Sequence, residues 1–198
     1  MTNAEFPNAK CIRHPAFSIV LHSSFFILHS SFVIRHSSFF MVRTGIGYDV
    51  HPFAEGRPLV LGGVTIPHSR GLKGHSDADV LSHAIADAVL GALGEPDIGY
   101  WFPPSDPAIK GISSLKILEK CAQIAADKGM RIENVDSSLI AEAPKVMPHA
   151  ASMKQHIATA LGIQPDQVGV KATTNERLGF VGREEGIAAM AVACVSRK

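Results

Sequence analysis

The sequence predicts an α+β fold, an open sheet with helices packed on one face, from three observations. Strand-like and helix-like segments do not alternate strictly, and the pattern is not all-strand either. Three segments show helical apolar spacing with stop signals at their ends. The last apolar run, Ala188 to Ala193, is built of unusually small side chains (AAMAVA) that suit close packing against a helix or a neighbouring subunit.

Taken in order, Arg43 to His51 alternates as a strand does, and Pro52 is expected to stop it. Leu59 to Leu61 and Val64 to Ile66 flank Gly62 and Gly63 as a hairpin or bulged pair. From Asp79 to Leu93 the residues Val80, Leu81, Ala84, Ile85, Ala88, Val89 and Ala92 follow helical spacing, with Ser76 or Asp77 expected at the cap and Gly94 beyond the end. Residues 95–112 are rich in Pro and Gly and read as a long ordered loop serving a site. Ser113 or Ser114 caps a helix running through Lys128 and closed by Gly129. Met130 to Ala141 is a strand, Pro148 to Leu161 a helix, and Gln167 to Thr173 and Ile187 to Val195 are strands. The expected topology is ferredoxin-like.

Composition limits the function. The 198 residues carry 19 Lys+Arg against 18 Asp+Glu, so no global field favours nucleic acid or an anionic membrane, and neither is expected as a partner. An anionic substrate must be captured locally. Hydrophobic residues at 46% and charged residues at 19% describe a packed chain rather than a disordered one. Cys11, Cys121 and Cys194 have no C-x-x-C spacing, which argues against a disulfide framework or a thiolate zinc site and for a reducing, cytoplasmic setting.

The distribution is uneven. All 17 Gly lie at or beyond Gly45, whereas Phe6, Phe17, Phe25, Phe26, Phe32, Phe39 and Phe40 crowd the first forty positions. Beginning at His22, His29 and His36, a seven-residue unit repeats as HSSFFIL, HSSFVIR and HSSFFMV. The unit lacks the apolar a and d positions and charged flanks of a coiled coil, and its recurrent His and Ser break any membrane span. It matches poorly both a secretory signal and the Arg-rich composition of a transit peptide, and plastid-type targeting stands as the alternative reading of the tail. Residues 1–40 are therefore expected to be a translated DNA repeat outside the functional protein, with Met41 as the working start and residues 41–198 as the domain. The repeat histidines are given no ligand role.

Chemistry concentrates elsewhere. Asp49 and His51 are two residues apart on a predicted strand, so both project from one face toward one point. His83 lies on the first long helix, and His75 and Asp77 just precede it. One carboxylate and two imidazoles leave a fourth position on zinc, as a catalytic rather than a structural site requires.

Residues 41–198 resemble the 2-C-methyl-D-erythritol 2,4-cyclodiphosphate synthases of the non-mevalonate isoprenoid pathway. The resemblance rests on ordered motifs: RTGIGYDVH at 43–51, LGGV at 61–64, GHSDAD at 74–79 followed by His83, DIG at 97–99, FP at 102–103 with Asp106-Pro107, AEAPK at 141–145, KATTNE at 171–176 and GFVGR at 179–183. It implies a homotrimer with interfacial active sites. These convert 4-diphosphocytidyl-2-C-methyl-D-erythritol 2-phosphate, a cytidine diphosphate, into the cyclic diphosphate and CMP.

The resemblance further implies zinc at Asp49, His51 and His83, and magnesium or manganese at Glu176 with the substrate phosphates. His75 and Thr174 would stabilise the transition state, assisted by Ser76. Asp49 and His51 would also lie against substrate. Asp97, Ile98 and Gly99 would contact the methylerythritol part, and Phe102, Pro103, Pro104, Ser105 and Asp106 would close over the 2-phosphate. Ala141, Glu142, Ala143, Pro144, Lys145, Val146 and Met147 would hold cytosine and the CMP phosphate. Thr173, Thr174, Asn175 and Glu176 would join them. Phe180 and Arg183 match residues near the trimer axis, where some members bind isoprenoid diphosphates. Pro104 departs from the more frequent Asp and removes a carboxylate and an N–H from the 2-phosphate loop; Asn175 replaces a common Thr. The alternatives are a zinc-dependent phosphoesterase, with water as nucleophile, and a catalytically silent trimer that binds isoprenoid diphosphates.

Overall fold

A computed structural model of the chain describes residues 41–198, so the readings made on residues 1–40 lie outside the described residues. Strand β1 (Val42–Ala54) is longer than expected because Pro52 does not end it. Phe53 donates its N–H to Glu185 O at 2.9 Å, so by alternation the imide nitrogen of Pro52 faces the other side of the strand. There the sheet has only the two-residue β4 (Gly71–Leu72), and the missing donor costs no ladder bond.

Strands β2 (Leu59–Leu61) and β3 (Val64–Ile66) form the expected hairpin. Helix α1 (Val80–Leu93) ends at Gly94 in the left-handed region, as its sequence indicates. Its cap is Asp79, however, and not Ser76 or Asp77. The Asp79 carboxylate accepts from Ser82 N and Ser82 Oγ, and also from Gly62 N and Gly63 N at 2.9 and 2.7 Å. A carboxylate with four donors can be fully buried, and it ties the hairpin to the helix start. Ser76 and Asp77 are thereby released into the turn that carries the site.

The segment expected to be one loop holds a one-turn helix, α2 (Ile98–Trp101), and a 3-10 turn at Pro107–Ile109. Both start on Asp side chains, Asp97 and Asp106. Helix α3 (Ser114–Asp127) begins after its cap Ser113. Strand β5 (Met130–Ile140), helix α4 (Ala150–Leu161) and strand β6 (Val168–Thr173) follow, then a short helix α5 (Gly179–Gly182) that was not expected, and strand β7 (Gly186–Arg197).

The sheet runs β4-β1-β7-β5-β6, with β1/β7 and β7/β5 antiparallel and β5/β6 parallel. The α+β class with helices on one face of an open sheet is therefore observed, but the ferredoxin-like topology is corrected. That topology runs β-α-β-β-α-β. Here the long elements run β-α-α-β-α-β-β, because β6 and β7 are separated only by the one-turn α5 and α4 bridges a parallel pair.

Alternation in β1 decides which side chains meet α1. Gly45, Gly47, Asp49 and His51 share the helix side, while Ile46, Tyr48 and Val50 face away. On β7 the helix-side residues opposite them are Ala193, Ala191 and Ala189, all buried. A Cβ placed on Gly47 would lie 1.9 Å from Ala84 O, and one on Gly45 would lie 2.2 Å from Ala88 O. Helix α1 therefore rests backbone to backbone on a Gly/Ala floor. The far face of the sheet leaves Ile46 68%, Tyr48 52%, Met190 45% and Val192 47% exposed. Among the described residues no helix is long and apolar enough to cross a membrane.

Candidate active site

Strand β1 delivers Asp49 and His51 under α1, and α1 delivers His83 from its first turn. The three ligand atoms lie within 4.8 Å of one another. Asp49 Oδ2 is 2.9 Å from His51 Nε2 and 3.0 Å from His83 Nδ1, and the two ring nitrogens are 3.2 Å apart. Burial works to raise the Asp49 carboxyl, but hydrogen bonds and charge from the two imidazoles prevail and hold it well below the usual carboxylate range. Burial likewise opposes charging of His51, yet the Asp49 carboxylate beside it raises its value above that of a free histidine.

The donor set fits a divalent cation. His51 Nδ1 is 2.7 Å from the Lys73 carbonyl, which can only accept, so Nδ1 carries a proton and Nε2 is the nitrogen left to bind an ion beside Asp49. Two imidazole nitrogens and one carboxylate oxygen at this spacing suit zinc. The triad faces a cleft of about 180 Å³ that also involves His75, Ser76, Ile98, Gly99, Phe102 and Pro104. An adjoining cleft of about 360 Å³ shares His75, Ser76 and Pro104 and adds Ser105, Asp106, Arg57 and Lys110, two cationic side chains and one carboxylate.

Several predicted contacts have structural duties as well. Asp97 caps α2 through Tyr100 N at 3.1 Å, and Asp106 caps the next turn through Ala108 N at 2.9 Å. Pro103 is exposed, at the tip of the same loop.

A second group of predicted residues assembles separately. Ala141, Glu142, Pro144, Lys145, Val146, Met147, Thr173 and Thr174 line a cleft of about 340 Å³ at the ends of β5 and β6. Glu142 Oε1 accepts from Asn175 N at 2.9 Å and Arg177 N at 3.0 Å, which shapes the turn after β6. Within that turn Thr174 Oγ1 donates to Glu176 Oε1 at 3.1 Å. Every residue from Lys171 to Phe180 is exposed. Arg183 pairs with Glu185 at 2.7 Å. The structure does not bring this group to the triad within one chain. Three strand spacings separate β1 from β6, roughly 14 Å at the usual interstrand distance.

Sequence reasoning missed Arg57, Asp87 and Ser114. Arg57 donates to Gly74 O and Ser76 O, each at 2.6 Å, and so brackets the exposed His75; a lone Arg in a turn gives no signal of this in the sequence. Asp87, one helical turn beyond His83, accepts from Ile98 N at 2.8 Å and fixes the start of α2. Burial, aided by the nearby Asp97 and Asp49 charges, raises the Asp87 carboxyl above its usual value. The folded state therefore holds that proton more tightly than the unfolded chain does, and stability falls as pH rises through the window between the two values. Asp87→Asn is expected to be more thermostable than the parent chain at neutral pH in metal-free buffer, and to lose the advantage below the usual carboxylate range. Melting curves at pH 7.5 and pH 3.5 check this, and an advantage that persists at the lower pH would refute it.

Comparison with known proteins matches these features to one group. A sequence model described as the YgbB family matches residues 42–196. The 2-C-methyl-D-erythritol 2,4-cyclodiphosphate synthase of Akkermansia muciniphila is 65% identical over 153 residues, covering 77% of this chain and 90% of its own. Among solved structures, the IspF CDP complex from Plasmodium falciparum superposes with a TM-score of 0.70 at 35% identity, covering 81% of this chain and 99% of its own. The bifunctional IspDF of Campylobacter jejuni reaches a TM-score of 0.77 at 40% identity over 80% of this chain, which spans only 43% of that longer protein.

Proposed function

Since the chain belongs to the YgbB family, we propose how its geometry performs the family's cyclisation. The enzyme is a cyclodiphosphate synthase that converts 4-diphosphocytidyl-2-C-methyl-D-erythritol 2-phosphate into 2-C-methyl-D-erythritol 2,4-cyclodiphosphate and CMP, in isoprenoid precursor biosynthesis. The observation that carries the mechanism is the convergence of Asp49, His51 and His83 beside His75 and Ser76 at one cleft. An oxygen of the substrate's 2-phosphate attacks the β-phosphorus, a new P–O–P bond closes the ring, and the bond to the CMP oxygen breaks. The nucleophile is already an anion, so the protein's tasks are positioning and charge neutralisation.

Asp49, His51 and His83 would hold zinc, and Glu176 with the substrate phosphates would hold magnesium or manganese; when bound, these ions supply Lewis-acid polarisation of phosphate oxygens. His75, bracketed by Arg57, donates a hydrogen bond to the phosphate oxygens that gain charge in the transition state, and the Thr174 hydroxyl, turned from Glu176 once that carboxylate holds an ion, would do the same. Ser76 adds a hydroxyl at the same wall. Asp97, Ile98 and Gly99 receive the methylerythritol part, and the 102–106 loop, aided by Arg57 and Lys110, receives the 2-phosphate. The 141–147 segment and Thr173 to Glu176 take the cytidine end.

Homotrimeric assembly completes the site in this reading. The two half-sites stand at separated strands of one chain, too far apart for a single diphosphate to touch both. A heterologous contact between copies would join one chain's β1 side to a neighbour's β6 side, and such contacts close into a ring where three successive rotations return to the first copy. The apolar sheet face around Ile46, Tyr48, Met190 and Val192 supports burial against further copies, and Phe180 and Arg183 would approach the ring axis. We class the enzyme as a phosphorus–oxygen lyase, place it in the cytoplasm, and take residues 41–198 as its working domain.

The test is a product assay with zinc and magnesium, read by mass spectrometry on chains beginning at Met1 and at Met41. Equal yields of cyclic diphosphate and CMP are expected, at the same turnover for both chains. Release of a linear phosphate product would favour a phosphoesterase, and absence of CMP would overturn the proposed reaction.

A further inference from the structure

The hydrogen bonds behind His83 extend beyond the triad. His83 Nε2, the ring nitrogen turned away from Asp49, is 2.9 Å from Ser114 Oγ and 3.1 Å from Ser76 Oγ. Ser114, fully buried, opens α3, and its hydroxyl makes a short hydrogen bond to Asp77 Oδ1 while its N–H reaches Asp77 Oδ2 at 2.9 Å. Each link has a forced polarity. An ionised carboxylate can only accept, so the Ser114 hydroxyl must donate its one proton to Asp77. The Ser114 oxygen then has only lone pairs to offer His83, so Nε2 must be the protonated nitrogen. With an ion seated at the triad, Nδ1, the atom 3.0 Å from Asp49 Oδ2 and 3.2 Å from His51 Nε2, is then the nitrogen left to bind it.

We propose that Asp77 and Ser114 are positioning residues that lock His83 in the Nε2–H tautomer and so present its Nδ1 lone pair to the metal. The inference rests on the reading of Asp49, His51 and His83 as a metal site. The Lys73 carbonyl does the same for His51 with one backbone acceptor, whereas His83 needs a relay because its far nitrogen points at side chains rather than at a carbonyl. Ser76 Oγ accepts from Ala78 N at 3.1 Å and does not impose a direction on His83, since its own proton has no carboxylate to go to. Asp77 is what gives the relay its sense: without it the Ser114 hydroxyl is free to donate to Nε2 and favour the opposite tautomer.

The test uses the full chain, zinc titrated against a competing chelator, and ¹H–¹⁵N spectra of His83 in the zinc-loaded protein. Ser114→Ala and Asp77→Ala are each expected to weaken zinc binding about 10- to 100-fold, the usual effect of removing such an outer partner. Both should show faster solvent exchange of the zinc-bound His83 Nε2–H than the parent, where Ser114 holds that proton at 2.9 Å. The double variant should be no weaker than the weaker single one, because both act through one relay. Asp77→Asn, which keeps an accepting oxygen for Ser114, should retain most of the affinity. A merely structural role predicts something else: lower melting temperature, unchanged Kd and unchanged exchange of the His83 Nε2–H, and that result would overturn the proposal. If the parent binds no zinc, the metal reading fails and the relay falls with it, whereas zinc binding left unaltered by both variants overturns the relay alone.

Discussion

Asp49→Ala is expected to lose zinc on dialysis and to lower kcat about a thousandfold. Asp49 Oδ2 is the atom both imidazoles approach, at 2.9 and 3.0 Å. Removing it leaves two neutral donors 3.2 Å apart with no anion to balance a dication. Metal polarisation of a phosphoryl group contributes several kcal/mol, and about 4 kcal/mol corresponds to three powers of ten in rate. The strand should survive, because the backbone of Asp49 stays paired with Ala189 and the lost side chain is a partly exposed one. Circular dichroism and gel filtration unchanged beside the lost turnover would complete the expected pattern. Turnover within tenfold of the parent would show that the triad is not the catalytic centre, and loss of assembly without any parental turnover would instead favour a silent binding protein.

The second large effect concerns stability. Gly47→Ala should destabilise the domain by about 3 kcal/mol or more, above the common range for overpacking, because no flexible side chain can yield. The new Cβ would meet Ala84 O at 1.9 Å and Ala88 N at 2.7 Å, both backbone atoms in the middle of α1. For a domain of this size that corresponds to a melting point lowered by about 10 °C. To relieve the contact α1 must lift, and His83 lifts with it while Asp49 and His51 stay on the sheet. Zinc affinity should therefore fall together with stability. Gly91→Ala, on α1 itself, serves as the control for a mere glycine effect, since the nearest atoms to a Cβ there lie at 3.8 Å, an ordinary contact. A Gly47→Ala protein with unaltered melting and zinc binding would contradict the close helix–sheet contact.

What could be read in the sequence follows from periodicity. Two ligands at i and i+2 on a strand and one in the first turn of a capped helix are local patterns, so Asp49, His51 and His83 were accessible before any coordinates. The small side chains at Ala189, Ala191 and Ala193 likewise announced close packing, and the structure shows α1 as what packs there. Long-range partners were not accessible. Ser114 lies 31 residues from His83 along the chain and looked like an ordinary helix cap, and the Lys73 carbonyl has no side-chain signature at all. Asp79 displaced Ser76 and Asp77 as the cap because only it reaches the two N–H groups of the Gly62-Gly63 turn. Pro52 misled because a proline is harmless where a strand has almost no neighbour on its imide side. Helices α2 and α5 are single turns held by Asp side chains or glycine, too short for any apolar period to appear.

The separation of the triad from the cleft at the ends of β5 and β6 has a consequence for inheritance as well as chemistry. In the proposed ring each active site is a joint between two chains, one lending its metal half and the other its nucleotide half. A chain damaged at Asp49 still lends a sound nucleotide half, and a chain damaged at Glu176 still lends a sound metal half. When the two kinds meet in one ring, head to tail, one joint is whole. Two alleles that are each inactive alone can thus complement each other, and a lesion's severity depends on the company the chain keeps.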